Sequence, residues 1–224
     1  MKKTNKTEPK KEKITLKKYT LGEELVSAIS HGLGAALAIV CLVLCIMASL
    51  DNGGIAIASA IIYGSSLIIL YLMSTLYHSL VPNKAKKVFR VFDHCGIFLL
   101  IAGSYTPFTL ITLEPPLGLI MCALIWTCAL VGIILNAINL ERFKKISFAL
   151  YLIMGWAAIF TFRPLIDALA PTGMLLLVLG GAAYTIGAII YVIGRKVRYM
   201  HSVWHFFVLG GSIFHFFAIY KFVF

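Results

Sequence analysis

Two histidines, His201 and His205, open the last apolar run of the chain as H-S-V-W-H. Four residues apart on a helix, they lie on one face one turn above the other, so two imidazoles can converge on one small target. A metal ion is the obvious target. A second run of the same spacing, Ser74 to His78 in S-T-L-Y-H, offers the third nitrogen a zinc site would need. Three neutral imidazoles and a water make the open tetrahedral arrangement of catalytic zinc, where the ion lowers the pKa of its water towards ~7. Asp93 is the one carboxylate expected inside the helical bundle. It would hold that water and take its proton, while the Ser74 hydroxyl hydrogen-bonds the water or a developing oxyanion. Taken singly, a histidine in an apolar helix is most often a packing residue. The metal reading therefore depends on whether the chain brings these residues to one depth.

The surrounding elements are those of a membrane protein. Of the 224 residues, 60% are hydrophobic and 13% charged, against roughly 45–50% and about 25% for soluble domains. The net charge of +11 does not indicate nucleic acid, because the basic residues punctuate apolar runs instead of clustering on one face. The five cysteines all fall inside apolar segments and form no C-x-x-C pair. Neither a disulfide framework nor a thiolate zinc site is indicated, and they read as small packing residues. Residues 1–23 are Lys-rich and aperiodic, and the apolar run after them is much longer than a signal core of about 7–15 residues. They are expected to remain as a cytosolic tail on a single membrane domain, 24–224.

A helix needs ~20 apolar residues to cross a bilayer. On that measure the sequence predicts an all-α, seven-transmembrane-helix bundle with spans at 25–49, 54–81, 90–112, 117–139, 146–164, 172–194 and 199–222. Arg163-Pro164 closes the fifth early, and Pro107 should kink the third. Apart from Arg163 and Lys221, every Lys and Arg falls in the tail or in the second, fourth and sixth connections. Short cytoplasmic loops retain such residues, so the N-terminus is expected in the cytoplasm and the C-terminus outside it. Gly32, Gly34, Gly103, Gly180, Gly181, Gly210 and Gly211 are expected to let helices approach closely.

This topology supplies depth. Ser74 and His78 fall near the cytoplasmic end of the second span, Asp93 in the first turns of the third, and His201 and His205 in the first turns of the seventh. All five share one layer, and ionisable residues within spans mark function by default. His94 points about 100° away from Asp93, and His215, roughly 21 Å along the axis from His201, is too far for the same ion. His31 is expected as an interhelical hydrogen bonder. Glu23 and Glu24 read as complements to the dipole of the first helix.

With these residues placed, the chain resembles the bacterial hemolysin III family, within the progestin and adipoQ receptor group that is related to alkaline ceramidases and adiponectin receptors. The matching stretches are E-E-L-V-S-A-I-S-H-G-L-G (23 to 34), S-T-L-Y-H (74 to 78), F-D-H-C-G-I-F-L-L-I-A-G-S-Y-T-P-F (92 to 108) and H-S-V-W-H-F-F-V-L-G-G-S-I-F-H-F (201 to 216). Ser27 stands where related sequences often have Asn. The resemblance implies seven helices with the N-terminus inside, a bacterial plasma membrane location, and zinc held by His78, His201 and His205 with Ser74 and Asp93 around the bound water.

Three functions are compatible with this. The first is zinc-dependent hydrolysis of a lipid amide or ester entering from the bilayer. The second is a non-catalytic membrane signalling or homeostasis protein whose zinc ties helices together. The third is a pore-forming cytolysin, disfavoured because no cleavable signal is expected to carry the chain out of its cell.

Overall fold

The computed structural model describes residues 19–194 and 196–224. Most of the expected Lys-rich tail, and Arg195 of the sixth connection, lie outside the described residues.

The first helix, α1 (Leu21–Ser49), starts on a reciprocal cap. Thr20 Oγ1 accepts from Glu23 N at 3.3 Å while Glu23 Oε2 accepts from Thr20 N at 2.8 Å. This T-x-x-E capping box satisfies two otherwise orphaned amides, and it starts the helix a turn earlier than expected. After a single 3-10 turn, Leu50–Asn52, the chain reverses at Gly53, whose φ of 84° only glycine adopts without strain. The second helix, α2 (Gly53–Ser79), packs along α1. The third, α3 (Lys84–Pro107), is capped by Asn83, which accepts from Lys86 N at 2.8 Å. Pro107 ends its regular ladder, and the chain continues as a π-helical turn over Phe108–Thr112.

The fourth helix, α4 (Leu117–Trp156), differs from expectation. The basic stretch at Arg142, Lys144 and Lys145 is helical, and the only break is Asn139, with φ −162° and ψ 94°. Its carboxamide recaps the chain at once by accepting from Arg142 N at 3.0 Å, so a one-residue break replaces the expected loop. Trp156 leads into a 3-10 turn (Ala157–Thr161) and the short α5 (Phe162–Ala168), which carries Arg163 and Pro164. The sixth helix, α6 (Pro171–Ile193), has proline in its first turn, where the missing N–H costs nothing. The last, α7 (Met200–Phe222), follows Tyr199 in the left-handed region at φ 62°.

Among the described residues every regular element is helical, and five stretches are long and apolar enough to cross a membrane: Leu21–Ser79, Lys84–Thr112, Leu117–Ala168, Pro171–Ile193 and Met200–Phe222. The structure gives five such stretches where seven spans were expected: the expected spans 25–49 and 54–81 both fall within Leu21–Ser79, and 117–139 and 146–164 both fall within Leu117–Ala168.

Packing runs α1 on α2, α2 on α3, α3 on α4, and α6 on α7, with α7 returning to α1. The outside carries large apolar side chains such as Ile29, Val40, Met47, Ile138 and Ile153, while serines, histidines and threonines are buried within. Some of those polar groups bond across helices, as expected where water is excluded. Tyr71 OH donates to Ser212 Oγ at 2.6 Å, Tyr184 OH lies 2.8 Å from the same oxygen, and Trp126 Nε1 donates to Thr106 Oγ1 at 3.1 Å. Two of the expected close approaches are built on glycine in this way: a Cβ at Gly34 would stand 2.8 Å from the Tyr71 ring, and one at Gly211 would stand 2.9 Å from Tyr184. Gly181 and Gly210 face open space instead. The five cysteines are free thiols.

Candidate metal centre

The start of α7 is fastened to the start of α1. Glu23 Oε1 accepts from Tyr199 N at 2.9 Å, Ser202 Oγ donates to the Glu23 carbonyl at 3.1 Å, and Ser27 Oγ lies 3.1 Å from Ser202 Oγ. Tyr199's left-handed backbone turns its amide towards that carboxylate. The six-residue passage from α6 into α7 thereby delivers His201 and His205 at a fixed height.

On α7 these two rings project towards His78 on the last turn of α2. Ring centroids are 5.0 Å apart for His201 and His205, 5.0 Å for His78 and His205, and 5.4 Å for His78 and His201. All three side chains are buried, and each offers a nitrogen lying within 4.8 Å of the others'. His78 Nε2 and both ring nitrogens of His205 find no hydrogen-bond partner among the described residues. Burying a ring nitrogen without a partner is costly, and three converging imidazoles are the donor set a small borderline-soft cation takes. This group could hold a metal ion.

Its supports were not evident from sequence. His78 Nδ1 donates to Glu24 Oε2 at 2.7 Å, and the other carboxylate oxygen of Glu24 accepts from Lys86 Nζ at 2.6 Å. Lys86, expected in a solvated loop, is 2% exposed and also donates to the Leu80 carbonyl at 2.8 Å. A proton held at Nδ1 leaves the Nε2 lone pair for the centre of the cluster, which is how carboxylates orient metal-binding histidines. Two glutamates in a first helical turn look like dipole complements, so nothing in their spacing distinguished this role. Tyr19 was also missed. Its ring stacks on His201 at 4.9 Å and 22°, and lies 5.8 Å from His78, closing one side of the cluster. Burial above all, then the neighbouring Tyr77, Tyr191 and Asp93, pushes its phenol above the ordinary pKa, so it stays protonated.

The other two expected residues stand near the cluster but outside its donor group. Ser74 lies one turn before His78, fully buried, and its Oγ finds no hydrogen-bond partner. Asp93 is buried on α3, with Oδ2 3.7 Å from His94 Nδ1. It lies within electrostatic reach of Tyr19 and Tyr77, whose rings rest against His78. His94 Nδ1 donates to the Arg90 carbonyl at 2.9 Å, so that ring is turned to its own helix. His215 bonds the Leu177 carbonyl at 3.2 Å, away from the cluster. His31 departs from expectation. Neither ring nitrogen has a hydrogen-bond partner among the described residues, and the ring stacks on His205 at 3.7 Å and 24°.

Two adjoining apolar cavities, of about 160 and 430 Å³, lie between α3, α4, α6 and α7. They share Ser104, Tyr105, Thr185 and His215, and the smaller reaches His31 and Trp204 beside the histidine cluster.

The sequence model of the family described as "Haemolysin-III related" matches residues 19–216. The chain belongs to the haemolysin-III-related family. It is 44% identical over 209 residues to Hemolysin-3 of Bacillus cereus, spanning 93% of this chain and 95% of that one. It is 42% identical over 202 residues to the Hemolysin-3 homolog of Bacillus subtilis (strain 168), spanning 90% and 94%. A more distant similarity, 28% over 172 residues and 74% and 70% of the two chains, connects it to the human Monocyte to macrophage differentiation factor. The haemolysin-III-related match takes in every residue of the histidine cluster together with Tyr19, Glu24 and Lys86.

Proposed function

We propose that this haemolysin-III-related chain is a multi-pass protein of the bacterial plasma membrane that holds zinc through His78, His201 and His205 and hydrolyses a lipid amide or ester. The observation supporting it is the convergence of three buried imidazoles within 4.8 Å, one of them oriented by Glu24. When bound there, zinc would supply Lewis acidity and a water acidic enough to ionise near neutral pH. Asp93 takes up the proton, and the Ser74 hydroxyl donates to negative charge developing on the carbonyl oxygen. The larger apolar cavity, near 430 Å³, does not itself reach the cluster but shares walls with the smaller one that does; it is within the roughly 300–1,000 Å³ of ligand sites and suits an acyl chain.

The reading includes seven crossings. At ~1.5 Å per residue, the 59 residues of Leu21–Ser79 would extend about 90 Å, and the 52 of Leu117–Ala168 about 80 Å, against a hydrocarbon core of ~30 Å. Each must turn back once. With basic connections retained inside, the N-terminus is cytoplasmic and the C-terminus outside, and the cluster stands near the inner headgroups.

A second reading is favoured by one observation: the cluster joins α2 to α7, so zinc could serve as a tie without turnover. The name Hemolysin-3, carried by the Bacillus relatives, raises a lytic reading as the third. The decisive experiment is metal analysis of the purified wild type beside His78→Ala, with hydrolysis of lipid amides and esters assayed on both. Zinc and turnover lost together support the hydrolase. Zinc lost from a protein that never turned over supports the tie, and lysis persisting without zinc supports the third reading.

A further inference from the structure

His31 is 1% exposed, and neither of its ring nitrogens has a hydrogen-bond partner among the described residues. It is held on two sides by rings: His205 stacked at 3.7 Å, and Tyr71 edge-on at 5.0 Å and 81°. A phenylalanine would satisfy those contacts without leaving two polar atoms unmatched in an apolar interior, where an unmatched polar atom costs free energy. The ring also lines the smaller cavity, which is predominantly apolar and includes Leu70, Leu100 and Val208 among its walls, with Tyr184, Tyr191, Thr185 and His215 among its polar ones. A small number of placed polar groups in an apolar pocket is what fixes a ligand's orientation.

We propose that His31 is a positioning residue for the lipid in this cavity: one of its nitrogens hydrogen-bonds the polar head of a single-chain amide or ester, directly beside His205. The proposal rests on the reading of the cavity as a lipid site. It adds that the head group is selected there by a contact outside the metal cluster. The His31 ring, fixed by its two neighbours, cannot swing away from the head group, so the bond aligns the carbonyl with the histidine cluster. An alkyl chain without that head gains nothing from it.

The test uses the purified full chain in detergent and follows quenching of tryptophan fluorescence, since Trp204 and Trp156 border the cavity. The two probes are a dibrominated stearamide and a dibrominated alkane of the same length. His31→Phe keeps the ring contacts and removes the nitrogens, and His31→Gln restores a polar group. The expected result for His31→Phe is a roughly tenfold weaker stearamide affinity, the effect of one lost hydrogen bond. The alkane affinity and the zinc content per chain stay at wild-type values, and His31→Gln recovers part of the loss. Unchanged stearamide binding by His31→Phe overturns the proposal. So does an equal loss for both probes, which assigns a packing role, or a loss of zinc, which assigns His31 to the metal. A wild type that binds stearamide through His31 yet cleaves no amide or ester leaves this inference standing and removes only the hydrolase reading.

Discussion

Glu24 and His78, from helices α1 and α2, are joined by a 2.7 Å bond from Nδ1 to Oε2, and Lys86 holds the opposite carboxylate oxygen at 2.6 Å. The His78 nitrogen that faces the cluster is therefore set by a residue 54 positions earlier. Glu24→Gln should keep the fold and lower zinc affinity by roughly 10–100-fold, the usual cost of losing such an orienting partner. Competition against a chelator measures it, and unaltered affinity would show that Glu24 does not orient the ring.

Lys86→Met removes the cation from a largely buried pair. Breaking such pairs costs about 3–5 kcal/mol, and the partial exposure of Glu24, 16% for its side chain, places the loss towards the lower end. Thermal unfolding of the metal-free protein reports this without interference from zinc.

His205→Ala should remove both zinc and the stability that zinc confers, because binding free energy is also folding free energy. Chelator treatment is expected to lower the melting temperature of the wild type and to leave that of His205→Ala where it was. A chelator shift of equal size in the two proteins would place the ion elsewhere.

Asp93→Asn separates chemistry from binding. The hydrolase reading requires zinc content to remain and turnover to vanish, whereas Ser74→Ala should lower turnover by roughly 10²–10³, the loss of one charge-stabilising donor. Retained turnover in Asp93→Asn would remove this residue from the reaction.

Gly34→Ala tests the close approach of α1 to α2. Its new Cβ would stand 2.8 Å from the Tyr71 ring, which bonds Ser212 and braces His31. Overpacking of this kind costs about 1–3 kcal/mol, read as a lower melting temperature, and a stable Gly34→Ala would mean that Tyr71 can shift freely.

Much of the centre was legible in the sequence. The spacing of His201 and His205 and the apolar run lengths predicted that they would meet His78, and the structure brings those three rings together. What escaped was information carried by pairs distant in the chain. Glu24 looks like any first-turn glutamate until His78 is beside it, and Lys86 looks like any loop lysine until its ammonium is seen buried. The fold was misjudged where charge was taken to mean a loop. Arg142, Lys144 and Lys145 remain helical because the Asn139 side chain recaps the backbone after one irregular residue. His31 was expected to bond across helices because imidazoles usually do, and only the coordinates reveal its stack on His205.

The cluster draws one imidazole from α2 and two from α7, more than a hundred residues later. During synthesis His78 therefore emerges long before its companions exist, and ribosomes must deliver nearly all of these 224 residues before the three imidazoles can meet. Products released before α7 would lack both His201 and His205, and the Ser202 fastening to α1 with them, leaving His78 without the two rings it meets.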